Sequence, residues 1–144
     1  MVKRVPLSNR AESTPPSVRW LGEEERHLVF SFKHLDRSLY AGHADASFFV
    51  GLLDRLREIS RHAVKECWVA GHHTVIGTEV LPMEMFAPAV QRTAKEGFGD
   101  IGKLTVFRAA GDNRAMAGVL LGGIFYIIGI EARINTLYRH GKRK

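Results

Sequence analysis

From Ala115 to Ile130 the chain runs 16 residues without a charged side chain, and no other part of the sequence limits the possible folds so sharply. A membrane-spanning helix needs about 20 such residues. Inside the run stands the pair Gly122-Gly123, and consecutive glycines supply the positive φ angles of the two-residue turns that join antiparallel strands. The stretch therefore predicts a hairpin of two buried strands, with no membrane partner. Gly129 marks a bulge in the second strand just before Glu131. Upstream, Lys103-Leu104-Thr105-Val106-Phe107-Arg108 reads as a third strand, joined to the hairpin through a turn at Gly111-Asp112-Asn113. A three-stranded antiparallel meander results.

The first half of the chain has a different rhythm. His27 to Lys33 alternates around Phe30 and Phe32 and predicts a strand. Asp45 is placed to cap a helix, in which Phe48, Leu52, Leu56, Ile59 and Ala63 recur at three- and four-residue spacing, with Phe49 and Leu53 widening the apolar stripe. Its polar face carries Asp54, Arg57, Glu58, Arg61 and Lys65, pairing Asp54 with Arg57 and Glu58 with Arg61. Gly71-His72-His73 reads as a loop and Val75 to Val80 as a short strand. Pro88 suits the first turn of a second helix reaching Glu96, with Gly97 just past its end.

The expected fold is α+β, with an N-terminal strand and a long amphipathic helix followed by the three-stranded antiparallel meander. Residues 1–18 hold Pro6, Pro15 and Pro16 without an apolar period and read as a flexible basic arm. Trp20 and Leu21 mark the first contact with the core. A single domain spans 19–140, and 141–144 form a basic tail. The length of 144 residues suits one domain of this kind.

Cys67 is the single cysteine, which excludes an intramolecular disulfide and a cysteine-rich zinc site and fits a reducing, cytoplasmic compartment. No apolar stretch follows Met1-Val2-Lys3-Arg4 to make an export signal. The net charge of +6 favours acidic partners such as nucleic acid, an acidic protein or an anionic membrane surface.

Familiar catalytic motifs are missing. Seven histidines include His34-Leu35-Asp36, His43-Ala44-Asp45 and His72-His73, yet none has metal-ligand spacing, and surface or loop histidines are the expectation. His72 and His73 leave open a small metal-dependent hydrolase. A G-x-S-x-G elbow and a phosphate-binding loop are both absent, so no cofactor is indicated.

What remains is a cationic set on or beside the meander, made of Lys103, Arg108, Arg114, Arg133 and Arg139, with Tyr126, Tyr138 and His140 close in sequence and Lys142 and Arg143 beyond. Metal-independent RNA cleavage needs a base for the 2′-hydroxyl, positive charge at phosphorus and an acid for the leaving oxygen. Arginine supplies charge but no base at neutral pH, so that duty falls to His140, a tyrosine or a lysine. The same inventory without catalytic geometry binds phosphates, or forms a solvated charged face.

From about Leu104 to Arg139 this arrangement resembles the RelE/ParE family of small bacterial toxins, which are basic, place helices before an antiparallel meander and end in a segment bearing Arg and Tyr. Arg108, Arg133 and Tyr138 stand where the family has such residues. The resemblance implies a ribosome-dependent mRNA endonuclease or a gyrase inhibitor restrained by an acidic antitoxin. In that reading Arg108 and Arg133 hold phosphate and Tyr138 or His140 transfers the proton, while Lys103, Arg114, Arg139, Lys142 and Arg143 bind nucleic acid. The alternative is a non-catalytic module that binds RNA, the ribosome or an acidic protein.

Overall fold

The computed structural model describes residues 27–42, 45–62, 78–109 and 113–140. In chain order the elements are β1 (Val29–Ser31), α1 (Ala46–Ser60), β2 (Glu79–Pro82), α2 (Pro88–Phe98), β3 (Lys103–Arg108), β4 (Ala115–Leu121) and β5 (Ile124–Ile130). The strands form one five-stranded sheet of order β1-β5-β4-β3-β2. β2 through β5 pair antiparallel in sequence, whereas β1 lies parallel to β5 with Val29 opposite Ile124. The expected three-stranded meander is thus the centre of a larger mixed sheet. Its edges are short segments of three and four residues, too brief for strand periodicity to reveal their partners.

The helices cover opposite faces. α1 sends Phe48, Leu52, Leu56 and Ile59 into a cluster with Phe107, Met116, Leu120, Phe125 and Ile127. On the other face Val90 and Ala94 of α2 meet Leu104, Val106, Ala115, Ala117, Val119 and Ile128. Both clusters draw on alternate residues of the same strands, so successive side chains of β4 enter different cores. A strand covered on both faces has no polar side, and this explains the uncharged run from Ala115. Phe107 and Phe125, ring centroids 4.7 Å apart and edge to face, occupy the centre under α1.

The hairpin forms at Gly122 and Gly123, with φ of 56° and 86°. The bulge is also present: Ala117 pairs with Gly129 and Gly118 with Ile127, so Ile128 is the extra residue of β5. Beside it, a Cβ on Gly118 would stand 2.0 Å from the Tyr126 carbonyl oxygen. Asp45 caps α1 by accepting from the Phe48 amide at 2.9 Å.

Several expectations need correction. The helix predicted to end at Glu96 continues to Phe98 and stops at Gly99, whose φ is 78°. Gly97 belongs inside α2, where a Cβ would come within 2.9 Å of the His34 ring, so its smallness serves packing. Leu53 is 64% exposed and Phe49 is also exposed, so the buried stripe of α1 is narrower than predicted. Glu58 pairs with the buried Arg55 at 2.9 Å. β2 begins at Glu79, so of the strand expected from Val75 only its last residues fall in the sheet described. The basic arm, Trp20 and Leu21, Ala63, Lys65, His72 and His73, the turn residues Gly111 and Asp112, and the tail lie outside the described residues.

Candidate functional site

β5 leaves the sheet at Glu131, the first charged residue after the long apolar run. Its side chain is 0% exposed. Two backbone amides and one imidazole nitrogen surround the carboxylate. Oε1 accepts from the Ala115 amide at 3.0 Å, Oε2 accepts from the Leu137 amide at 3.0 Å, and Nε2 of His140 stands 2.6 Å from Oε1. The Glu131 amide itself donates to the Ala115 carbonyl at 2.7 Å. One carboxylate therefore ties the start of β4 to a segment six to nine residues further along. Charge-assisted hydrogen bonds of this length are about twice as strong as neutral ones.

The anchored segment reverses at Asn135, with φ of 71°, a left-handed geometry that asparagine tolerates. Leu137 is fully buried in the cluster under α2, and its carbonyl accepts from the Ala87 amide at 2.9 Å. Tyr138 forms an isolated antiparallel bridge with Phe86. The His140 amide donates to Asn135 Oδ1 at 2.8 Å, and its ring stacks on Tyr138 with centroids 4.1 Å apart and planes 21° apart.

Around this pair lies a cavity of about 120 Å³ lined by Glu79, Arg108, Asn113, Ala115, Tyr138 and His140, with Val106 and Phe107 completing the wall. Arg108 reaches it from the end of β3, whose last carbonyl accepts from Nε of the buried Arg55 at 3.1 Å. Burial, then the negative charges of Glu131 and Glu79, push the Tyr138 hydroxyl well above the usual tyrosine range. A phenol held neutral is unsuited to act as a base and remains a hydrogen-bond donor. Of the groups named as bases, a histidine, a tyrosine or a lysine, His140 is the one besides Tyr138 that lines this cavity.

The cationic set is divided by the fold. Arg108, Tyr138 and His140 meet in one cavity. Arg133 instead lines a separate cavity of about 220 Å³ with Ser38, Tyr40, Ala132 and Thr136. Arg114 is half-buried; its NH1 donates to the Ala132 carbonyl at 2.9 Å and its guanidinium lies 4.7 Å from the Phe48 ring centroid, so it braces the segment after β5 against α1. Lys103 pairs with Pro82 at the other end of β3, roughly 17 Å from Arg108 by strand rise. Arg139 is exposed beside the cavity, and Lys142 and Arg143 lie outside the described residues. Tyr126 sits far from His140 in a ring cluster with Phe98 and His34.

Glu131 and Glu79 were not among the sequence candidates. For Glu131 a signal exists: a lone carboxylate directly after a strand buried on both faces has to be satisfied inside the protein. Glu79 carries none, because β2 is too short to show a pattern.

Among the described residues no group of three or more His, Cys, Asp and Glu side chains is placed to hold a metal ion, and no helix is long and apolar enough to cross a membrane. No family model, curated protein or solved structure matches the chain.

Proposed function

We propose that the protein acts on nucleic acid and cleaves RNA without a metal ion at the cavity formed by Arg108, Tyr138 and His140. The observation that carries this reading is that these three residues, from β3 and from the segment after β5, line one small cavity, with the imidazole held by a buried carboxylate. Each requirement of phosphodiester transfer has a residue there. His140 takes the proton of the 2′-hydroxyl as its oxygen attacks phosphorus. Arg108 offsets the charge that accumulates on the phosphoryl oxygens. Tyr138 donates its proton to the departing 5′ oxygen; an alkoxide is a far stronger base than a phenolate, so a tyrosine held neutral still serves as its acid. The bond to the 5′ oxygen breaks as the bond to the 2′ oxygen forms, leaving a 2′,3′-cyclic phosphate.

The net charge of +6 supports a polyanionic substrate, since each phosphate neutralised releases counterions. The resemblance to RelE/ParE toxins adds the expectation that the RNA is mRNA on the ribosome and that an acidic protein restrains the activity. A second reading has its own support: Lys103 and Arg133 stand on exposed positions outside the cavity and Arg139 is exposed between two residues that line it, as in a module that binds phosphates without turnover.

Incubation of the purified protein with mixed-length RNA in EDTA, with and without ribosomes, separates the two. Cleavage that persists in EDTA and is lost in Arg108→Ala and His140→Ala supports the catalytic reading. RNA that stays intact in every condition while shifting on a gel, with an affinity that falls steeply with salt, gives the chain to the binding module.

A further inference from the structure

The second ring nitrogen of His140 carries a consequence beyond the assignment of residues to roles. A neutral imidazole has one N–H and one bare nitrogen, and the partner of either nitrogen decides which is which. Nε2 stands 2.6 Å from Glu131 Oε1, an oxygen that also accepts from the Ala115 amide, while Oε2 of the same carboxylate accepts from Leu137. This carboxylate is 0% exposed, and every neighbour at hydrogen-bond distance is an N–H group or this ring. An acceptor-only group so placed draws the imidazole hydrogen to Nε2. Nδ1 has no hydrogen-bond partner among the described residues, and the ring lines the cavity that also holds Arg108 and Tyr138. Stacking on Tyr138 fixes the plane of the ring without using either nitrogen.

We infer that Glu131 is the positioning residue of the site: it holds His140 in the tautomer protonated at Nε2, so that Nδ1 is the atom that takes and returns the proton. The same carboxylate clamps the amides of Ala115 and Leu137, and the ring orientation is therefore coupled to the docking of the whole segment after β5. This inference deepens the reading of the cavity as a proton-transfer site and rests on it only for the catalytic step.

The test is a long-range proton–nitrogen correlation spectrum of the full chain labelled with 15N, with the His140 ring signals assigned by their loss in His140→Gln. In the wild type at a pH where the ring is neutral, Nε2 gives the shift of a protonated ring nitrogen and Nδ1 that of a bare one. In Glu131→Gln an amide replaces one acceptor oxygen, the preference weakens, and both nitrogens move towards averaged shifts. On RNA, kcat falls about 10²-fold or more while KM holds, the loss expected when a general base is put in the wrong form. A wild-type ring protonated at Nδ1, or a tautomer unchanged in Glu131→Gln, overturns the inference even if RNA is cut. The stated tautomer with RNA uncut in every condition overturns the cleavage reading instead and leaves the role of Glu131 in place. The wild-type spectrum decides the tautomer by itself should Glu131→Gln fail to fold.

Discussion

Replacing Glu131 with Gln exchanges one carboxylate oxygen for an NH2 group and changes almost no volume, so its cost measures the polar clamp and not packing. The carboxylate accepts from the Ala115 and Leu137 amides through different oxygens and sits fully buried. A glutamine amide has one oxygen. With that oxygen towards Ala115 and His140, its NH2 faces the Leu137 N–H; flipped, it faces the Ala115 N–H. Either orientation sets donor against donor. A buried N–H left unsatisfied costs about 1–3 kcal/mol, and hydrogen bonds to a charged acceptor contribute about 1.5–3 kcal/mol against about 1 for neutral ones. The variant is expected to lose about 3 kcal/mol. For a chain of 144 residues the unfolding entropy near the midpoint is about 0.3 kcal/mol/K, which makes this a fall of roughly 10 °C in Tm. Differential scanning calorimetry of both proteins at neutral pH measures it, with exposed Glu96→Gln in α2 as a control that stays within about 2 °C of wild type. A Glu131→Gln midpoint indistinguishable from that control refutes the view that the carboxylate anchors the segment from Ala132 to His140.

Three other perturbations follow from the packing and the titrating groups. Gly118→Ala places a Cβ against the Tyr126 carbonyl at 2.0 Å; strands beside a bulge have to move apart, and urea unfolding should report a loss of about 1–3 kcal/mol, whereas an unchanged midpoint would mean that β4 and β5 adjust freely. Because the folded protein holds the Tyr138 proton more tightly than the unfolded chain, the stabilisation is complete below the unfolded tyrosine pKa of about 10 and declines as pH rises above it towards the raised folded value. Tyr138→Phe should remove the most alkaline phase of phenolate absorbance and flatten that decline, and persistence of both would place the perturbed group elsewhere. Asp36 accepts from Thr93 Oγ1 at 2.8 Å, from Ser38 Oγ at 2.8 Å and from the Ser38 amide at 3.0 Å, bonds that hold its carboxyl below the ordinary range; this contribution is present above the unfolded pKa of about 3.9 and is lost as pH falls through the folded value. Thr93→Ala should move acid unfolding to higher pH, and an unshifted acid transition would show that the link between Asp36 and α2 is not felt.

How much of this was legible in the sequence depends on whether a residue's partner lies nearby in the chain. The glycine pair at the hairpin turn, the bulge at Gly129, the Asp45 cap and the apolar stripe of α1 act over a few residues, and each was visible. The parallel pairing of Val29 with Ile124 joins residues 95 positions apart, and no local pattern reports it. Gly97 illustrates the same limit: next to a helix end it reads as a terminator, yet His34 across the fold is what requires its size. In the site, residue type alone nominated Arg108, Tyr138 and His140. Arg114 and Arg133 were nominated on equal terms, but the fold gives Arg114 to the Ala132 carbonyl and the Phe48 ring and Arg133 to another cavity. Glu131 carries a positional signal, a lone carboxylate directly after a strand buried on both faces, but the amides of Ala115 and Leu137 and the His140 ring that meet it are brought together only by the fold.

The chemistry of the RNA ends tests the central claim most directly. The wild-type protein is incubated in EDTA with an RNA that it cuts, and with the same RNA carrying a 2′-deoxynucleotide at the cleaved position, and the products are weighed by mass spectrometry. Attack by the 2′-hydroxyl predicts 2′,3′-cyclic phosphate on the upstream fragment, 5′-hydroxyl on the downstream one and no cut in the deoxy substrate. Upstream fragments ending in 3′-hydroxyl, or cleavage of the deoxy substrate at an undiminished rate, would contradict a mechanism built on His140, Arg108 and Tyr138.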